Sequence, residues 1–256
     1  MIVSLFQQDI LLSDPAGNRK KIESVLPHMK GCDLFILPEM FTTGFCTKKQ
    51  NGMIVCDDGE TMSWMARMSN QYQMAMAGSV AFQLDDGRRF NRFFFVQPDG
   101  QVCTYDKHHL FSYGHEDKYF GAGDERVVVS YHGFRFLLQV CYDIRFPVFS
   151  RCKGDYDAII YVANFPALRV EAWRTLIRAR AIENQCFVLA ANRVGKDQVT
   201  DYNGYSAVID AYGQTVVEAA QQTECVITAR LDLQRQNVFR KRFPTWKDAD
   251  AFHFEK

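Results

Sequence analysis

The 256-residue chain balances 30 Lys and Arg against 30 Asp and Glu, so no charge excess points to nucleic acid or an anionic membrane. Hydrophobic residues make up 47% and charged residues 23%, which supplies the core of one domain over residues 1–256. No run approaches the roughly 18 apolar residues of a membrane span, and the opening MIVSLFQQDI lacks a leader's basic and apolar regions, so a cytoplasmic location is expected.

In chain order, an apolar run at Ile2–Phe6 reads as a strand, and Ile22, Val25, Leu26 and Met29 have the i, i+3, i+4, i+7 spacing of an amphipathic helix. Further strands are expected at Leu34–Leu37, Met74–Phe82 and Phe93–Val96, with turn signals at Asp85-Asp86-Gly87 and Pro98-Asp99-Gly100. Strand-like runs recur at Phe134–Val140 and Ala158–Val162. A second helix follows at Glu171–Asn184, with Trp173, Leu176, Ile177 and Ala181 on one side. Cys186–Ala191, Ser206–Ile209 and Val226–Leu231 close the series, with a turn at Tyr212-Gly213. Several runs are apolar throughout, as in strands covered on both faces. Strand–helix alternation in some stretches and hairpins in others predicts a mixed α/β layered domain.

Eight cysteines are present, with no C-x-x-C pair and no Cys/His grouping of zinc-finger spacing. Reduced thiols are expected, with neither a structural metal nor a cofactor. The short basic cluster Arg240, Lys241, Arg242 reads as a solvated surface.

Three strand-like segments end in a reactive residue: Leu34 to Glu39, Val102 to Lys107, and Leu137 to Cys141. In α/β sheets, binding groups collect beyond the carboxyl ends of strands. A carboxylate, an ammonium and a thiol gathered there form a nucleophilic amidase site. The carboxylate takes the thiol proton, the ammonium stabilises thiolate and oxyanion, and the sulfur attacks carbon. An adjacent cation is expected to lower the pKa of the thiol. The other seven cysteines read as small core residues. His108, His109 and His115 read as packed or hydrogen-bonded imidazoles rather than bases, and Asp143 as a loop-holding acid.

The words around these residues are more specific than their spacing. LPEMFTTGF at 37–45, YDKHHLF at 105–111 and CYDIRFP at 141–147 resemble the three signature blocks of the nitrilase superfamily. GHEDKYFGAG at 114–123 resembles the segment that carries that family's additional glutamate. Residues 164–195, beginning NFPALR, resemble its later helix-strand unit. FTTGF after the glutamate and the ending FPTWKDADAF are similar to the omega-amidase branch, whose enzymes deaminate 2-oxoglutaramate and 2-oxosuccinamate.

The resemblance implies a four-layer αββα sandwich and a homodimer. It makes Cys141 the nucleophile, Glu39 the general base, Lys107 the oxyanion-stabilising group and the Tyr142 backbone N–H a second oxyanion donor. Glu116 matches the extra carboxylate that positions Lys107. Given a substrate with an α-keto acid at its far end, Arg145 is expected to bind the carboxylate, against a competing ion pair with Asp143 or another loop acid. Phe165 is expected to pack on the substrate's methylenes. Hydrolysis of a carbamoyl amine or of deaminated glutathione, or an inactive binding protein, are the alternatives. A nitrilase fits less well, because Tyr142-Asp143 stands where those enzymes tend to carry Trp-Glu.

Overall fold

Two six-stranded sheets stack face to face, in a computed structural model that describes residues 1–45, 56–57 and 59–253. The first sheet takes β1 (Ile2–Gln7), β2 (Leu34–Ile36), β3 (Ala75–Gln83), β4 (Arg89–Val96) and β5 (Val102–Asp106). The second begins with β6 (Val128–Tyr131), β7 (Phe134–Val140), β8 (Ala158–Ala163) and β9 (Phe187–Asn192). A two-stranded ribbon of β10 (Val194–Lys196) and β11 (Asp201–Asn203) follows. The chain then completes the second sheet with β12 (Ala207–Ile209) and β13 (Thr215–Glu218), and β14 (Cys225–Arg230) returns to pair with β1. The strand orders are β14-β1-β2-β3-β4-β5 and β13-β12-β9-β8-β7-β6.

Alternation along each strand explains why so many runs are apolar throughout. Ile36 and Phe95 point between the sheets, where they meet Phe136, Leu138 and Ile160 of the second sheet. Their neighbours point outward. Phe35, Met76 and Phe94 pack against Ile22 of helix α1 (Pro15–Val25) and Trp64 and Met65 of helix α2 (Glu60–Tyr72). On the far side, Ile159, Tyr161 and Val188 pack against Trp173, Ile177 and Ala181 of helix α3 (Val170–Asn184). The result is the expected αββα order of layers. Each fully buried Leu, Ile or Phe contributes roughly 1.5–3 kcal/mol.

The helix expected over 22–29 starts earlier and stops sooner. Asp14 caps α1 by accepting the Gly17 N–H at 2.9 Å, Pro15 opens the helix, and Pro27 leaves only a 3₁₀ turn at Leu26–His28. The expected strands stand within a residue or two, except that β4 begins at Arg89. Helix α2, strands β6, β10, β11 and β13, and helix α4 (Leu233–Arg242) were not anticipated. Helix α4 carries no apolar stripe. It docks through buried Gln236, whose amide accepts from Phe187 N and donates to Asp157 O. Arg240 is likewise no solvated surface residue, for it donates to Gln185 O, Tyr156 O and Asp157. Lys241 and Arg242 are exposed.

Strand direction places the site. β1, β2 and β3 are mutually parallel, as are β7, β8 and β9. β5 lies antiparallel to β4, which lies antiparallel to β3, so β5 points the same way as β3. Glu39 follows β2, Lys107 follows β5, Cys141 follows β7 and Asn164 follows β8.

Candidate active site

The four strand ends converge on one buried cluster. Lys107 Nζ lies 3.0 Å from Glu39 Oε1 and 2.8 Å from Glu116 Oε2, and none of the three side chains is more than 1% exposed. Asn91, inside β4, donates its Nδ2 to both carboxylates, at 2.7 Å to Glu39 Oε1 and 3.0 Å to Glu116 Oε1. Glu39 Oε2 accepts the Asn164 backbone N–H at 2.8 Å, and Glu116 Oε2 accepts that of Phe111 at 2.7 Å. Each carboxylate is therefore held by the lysine, by an amide side chain and by a main-chain donor. The structure brings Glu39, Lys107 and Glu116 together with Cys141, whose thiol feels the charge of all three.

Cys141 sits on a sharp bend. Its φ is 46°, in the left-handed region, between the end of β7 and a 3₁₀ turn over Cys141–Arg145. Such a conformation persists in a non-glycine residue only where surrounding bonds impose it. Asp143 supplies them. Its Oδ2 accepts Val140 N at 2.9 Å and Tyr105 Oη at 2.7 Å, and its Oδ1 accepts His109 N at 3.0 Å. One carboxylate so ties the ends of β5 and β7 to the loop after Lys107. As the second amide of a helical turn, the Tyr142 N–H has no acceptor within the turn.

The charges around the thiol act in opposite directions. Burial pushes the Cys141 thiol well above its ordinary range, the Glu39 charge pushes it further, and Lys107 pulls it back only in part. The lowered thiol pKa expected from the sequence is therefore not what this site gives, because the carboxylate stands beside the sulfur as well as the cation. Burial alone would lower Lys107, but Glu116 and Glu39 outweigh it and hold the ammonium charged.

The cluster forms the floor of a cleft of about 860 Å³, which Cys141 lines as a half-buried residue. Arg145 and Phe165 line it too, the guanidinium 5.6 Å from the ring centroid. Arg145 makes no ion pair with Asp143, whose oxygens are engaged elsewhere. Buried Phe165 packs on Trp173 and is fixed through its backbone N–H to Asn192 Oδ1 at 2.8 Å. His109 pairs with Asp143 at 2.9 Å and stacks on Phe146, and His108 binds Gly123 O and stacks on Phe149, so both are engaged as expected. His115 lies in the cleft wall. Among the other cysteines, 32, 152 and 186 are buried, 56, 103 and 225 are half-buried, and Cys46 lies outside the described residues.

Asn91, Asn164 and Arg169 were not singled out from the sequence. Asn91 stands inside the apolar word RFNRFFFV, where a lone buried polar residue is the available signal. Among the described residues, no group of three or more His, Cys, Asp or Glu side chains is placed to hold a metal ion. No helix among them is long and apolar enough to cross a membrane.

A sequence profile of the family described as carbon-nitrogen hydrolase matches residues 2–241. The chain belongs to the carbon-nitrogen hydrolase family. Among relatives of this hydrolase, Omega-amidase YafV of Yersinia enterocolitica is 41% identical, over 98% of this chain and 97% of the relative. A 2-oxoglutaramate amidase of Bacillus subtilis is 32% identical over 96% of each chain. Among solved structures, XC1258 of Xanthomonas campestris, a CN-hydrolase superfamily protein, superposes with a TM-score of 0.94 at 40% identity, covering 100% of this hydrolase and 99% of that chain.

Proposed function

We propose that this hydrolase is an omega-amidase, releasing ammonia from the terminal amide of a small 2-oxo dicarboxylic acid such as 2-oxoglutaramate or 2-oxosuccinamate. The observation that carries the reading is the buried Glu39–Lys107–Glu116 cluster against Cys141 at the floor of a cleft with an arginine on its wall. The 41% identity to Omega-amidase YafV across nearly the whole chain supports the substrate class.

In this reading the thiol stays protonated until the amide arrives. Glu39 takes the proton as sulfur attacks the amide carbon. Lys107 and the Tyr142 N–H stabilise the oxyanion. Glu39 returns the proton to the leaving nitrogen, ammonia departs, and a thioester remains on Cys141. Water then hydrolyses the thioester with Glu39 again as base. Glu116 holds Lys107 in place through two contacts, at 2.8 and 3.1 Å. Arg145 binds the substrate carboxylate and Phe165 packs on its methylenes. A single domain over 1–256, a homodimer, a cytoplasmic setting and a mechanism without metal or other cofactor belong to the same proposal.

The test is ammonia release from 2-oxoglutaramate, 2-oxosuccinamate, a simple neutral amide, a nitrile and a carbamoyl amine. The keto acids should be turned over best, and Glu39→Gln should lower kcat on them about a hundredfold or more. Preference for a carbamoyl amine, or near-normal kcat in Glu39→Gln, would overturn the substrate class or the base respectively.

A further inference from the structure

The cleft wall carries a second arginine. Arg169 closes the 3₁₀ turn Ala167–Arg169 that follows Asn164 and Phe165 from the end of β8, and it lines the same cleft as Cys141 and Arg145. Its guanidinium lies 5.3 Å from the centroid of Phe111, the residue whose backbone N–H binds Glu116. Both guanidinium groups rest on rings of the cleft lining, and neither makes a hydrogen bond or ion pair with a described residue. The acids of the lining, Glu39, Asp197 and Asp201, are already engaged. Asp197 accepts from Val199 N, Thr200 N and Tyr202 Oη, and Asp201 faces Lys196 at 3.4 Å. Glu39 is held on the floor by Lys107, Asn91 and Asn164.

Two unneutralised cations on one concave wall focus a positive potential that draws an anionic ligand there. A bidentate carboxylate engages one guanidinium, which leaves the other for an acceptor beside it. Resting on the omega-amidase reading, we propose that Arg169 is a specificity-determining residue. It donates to the 2-oxo oxygen adjacent to the carboxylate held by Arg145. The α-ammonium of the parent amino acid offers no acceptor at that place and meets two like charges instead. The pair therefore selects the keto acid amide over glutamine by attraction and by repulsion together.

The experiment compares kcat/KM for three amides of equal chain length in wild type and in Arg169→Gln. These are 2-oxoglutaramate, 4-carbamoylbutanoate (which lacks the oxo group) and L-glutamine. Ratios within one preparation do not depend on the fraction that is folded. The ratio of 2-oxoglutaramate to 4-carbamoylbutanoate should fall about tenfold or more in Arg169→Gln, the scale of one hydrogen bond to a charged group. The ratio of 2-oxoglutaramate to glutamine should fall further, because a repulsion is relieved as well. Ratios that stay at their wild-type values, whether activity drops evenly or not at all, would overturn the role of Arg169 and leave the omega-amidase reading standing. Absence of ammonia release from 2-oxoglutaramate by the wild-type enzyme would remove that reading, and this proposal with it.

Discussion

With φ at 46°, Cys141 holds a backbone conformation in which its Cβ crowds the chain, while glycine would sit there freely. The bend aims the sulfur at Glu39 and has to be imposed by the Asp143 bonds. Cys141→Ala should abolish turnover and leave the strain in place. Cys141→Gly should abolish turnover and also stabilise the fold, by about 1 kcal/mol over Cys141→Ala. Thermal melts of the two variants check this, and equal melting temperatures would mean that the bend is unstrained. The convergence of Glu39, Lys107 and Cys141 is legible in the sequence, since each ends an apolar run and sits inside a distinctive word. The roles of Asn91 and Asn164 are not. Their function lies in hydrogen bonds to a glutamate on a different strand, and no local spacing encodes which strand ends will meet.

At the scale of elements, the Glu39 turn is seated on β3. Leu37 N–H donates to Ala77 O at 2.7 Å and Phe41 N–H to Ser79 O at 3.1 Å, so both ends of the turn hang on that strand. Gly78 lies between them, and a Cβ there would stand 2.9 Å from both Leu37 Cβ and Phe41 Cδ1. Gly78→Ala should therefore push the turn outward. The overpacking should cost about 1–3 kcal/mol, and displacing the base should lower kcat about tenfold or more. Melting temperature and kcat measured together check it. A variant that is destabilised yet keeps full kcat would show that the turn absorbs the methyl elsewhere. Apart from α1 and the start of β4, elements with clear periodicity stand near their expected bounds. Helix α4 escaped notice because it docks through an amide, and β6 and β13 lie at the edges of their sheet, β13 being half exposed.

For the whole molecule, burial governs the response to alkali. It lifts the thiols of Cys141 and Cys186 and the phenols of Tyr105 and Tyr156 well above their ordinary ranges. Lys107 is raised as well, burial notwithstanding, by its two carboxylates. In every case the folded protein binds the proton more tightly than the unfolded chain. Their contribution is thus fully present below the unfolded pKa, which is 9.0 for the thiols, and is lost as pH rises beyond it. The melting temperature should fall steadily from about pH 9 to pH 11. A flat profile over that interval would mean that these groups titrate as they do in water. The layer order was legible only through the family resemblance. Apolar runs announce strands covered on both faces, but they do not say which strands share a sheet or which sheets stack.

That stacking has a consequence for assembly. Glu39 and Lys107 are carried by the first sheet, Cys141 and the Asn164 donor by the second, and the bonds that aim them run across the seam between the two. Neither sheet alone holds a reacting pair. Ammonia release therefore acts as a clock for the last docking event of the folding chain, silent while strands and helices form and audible only when the halves have closed.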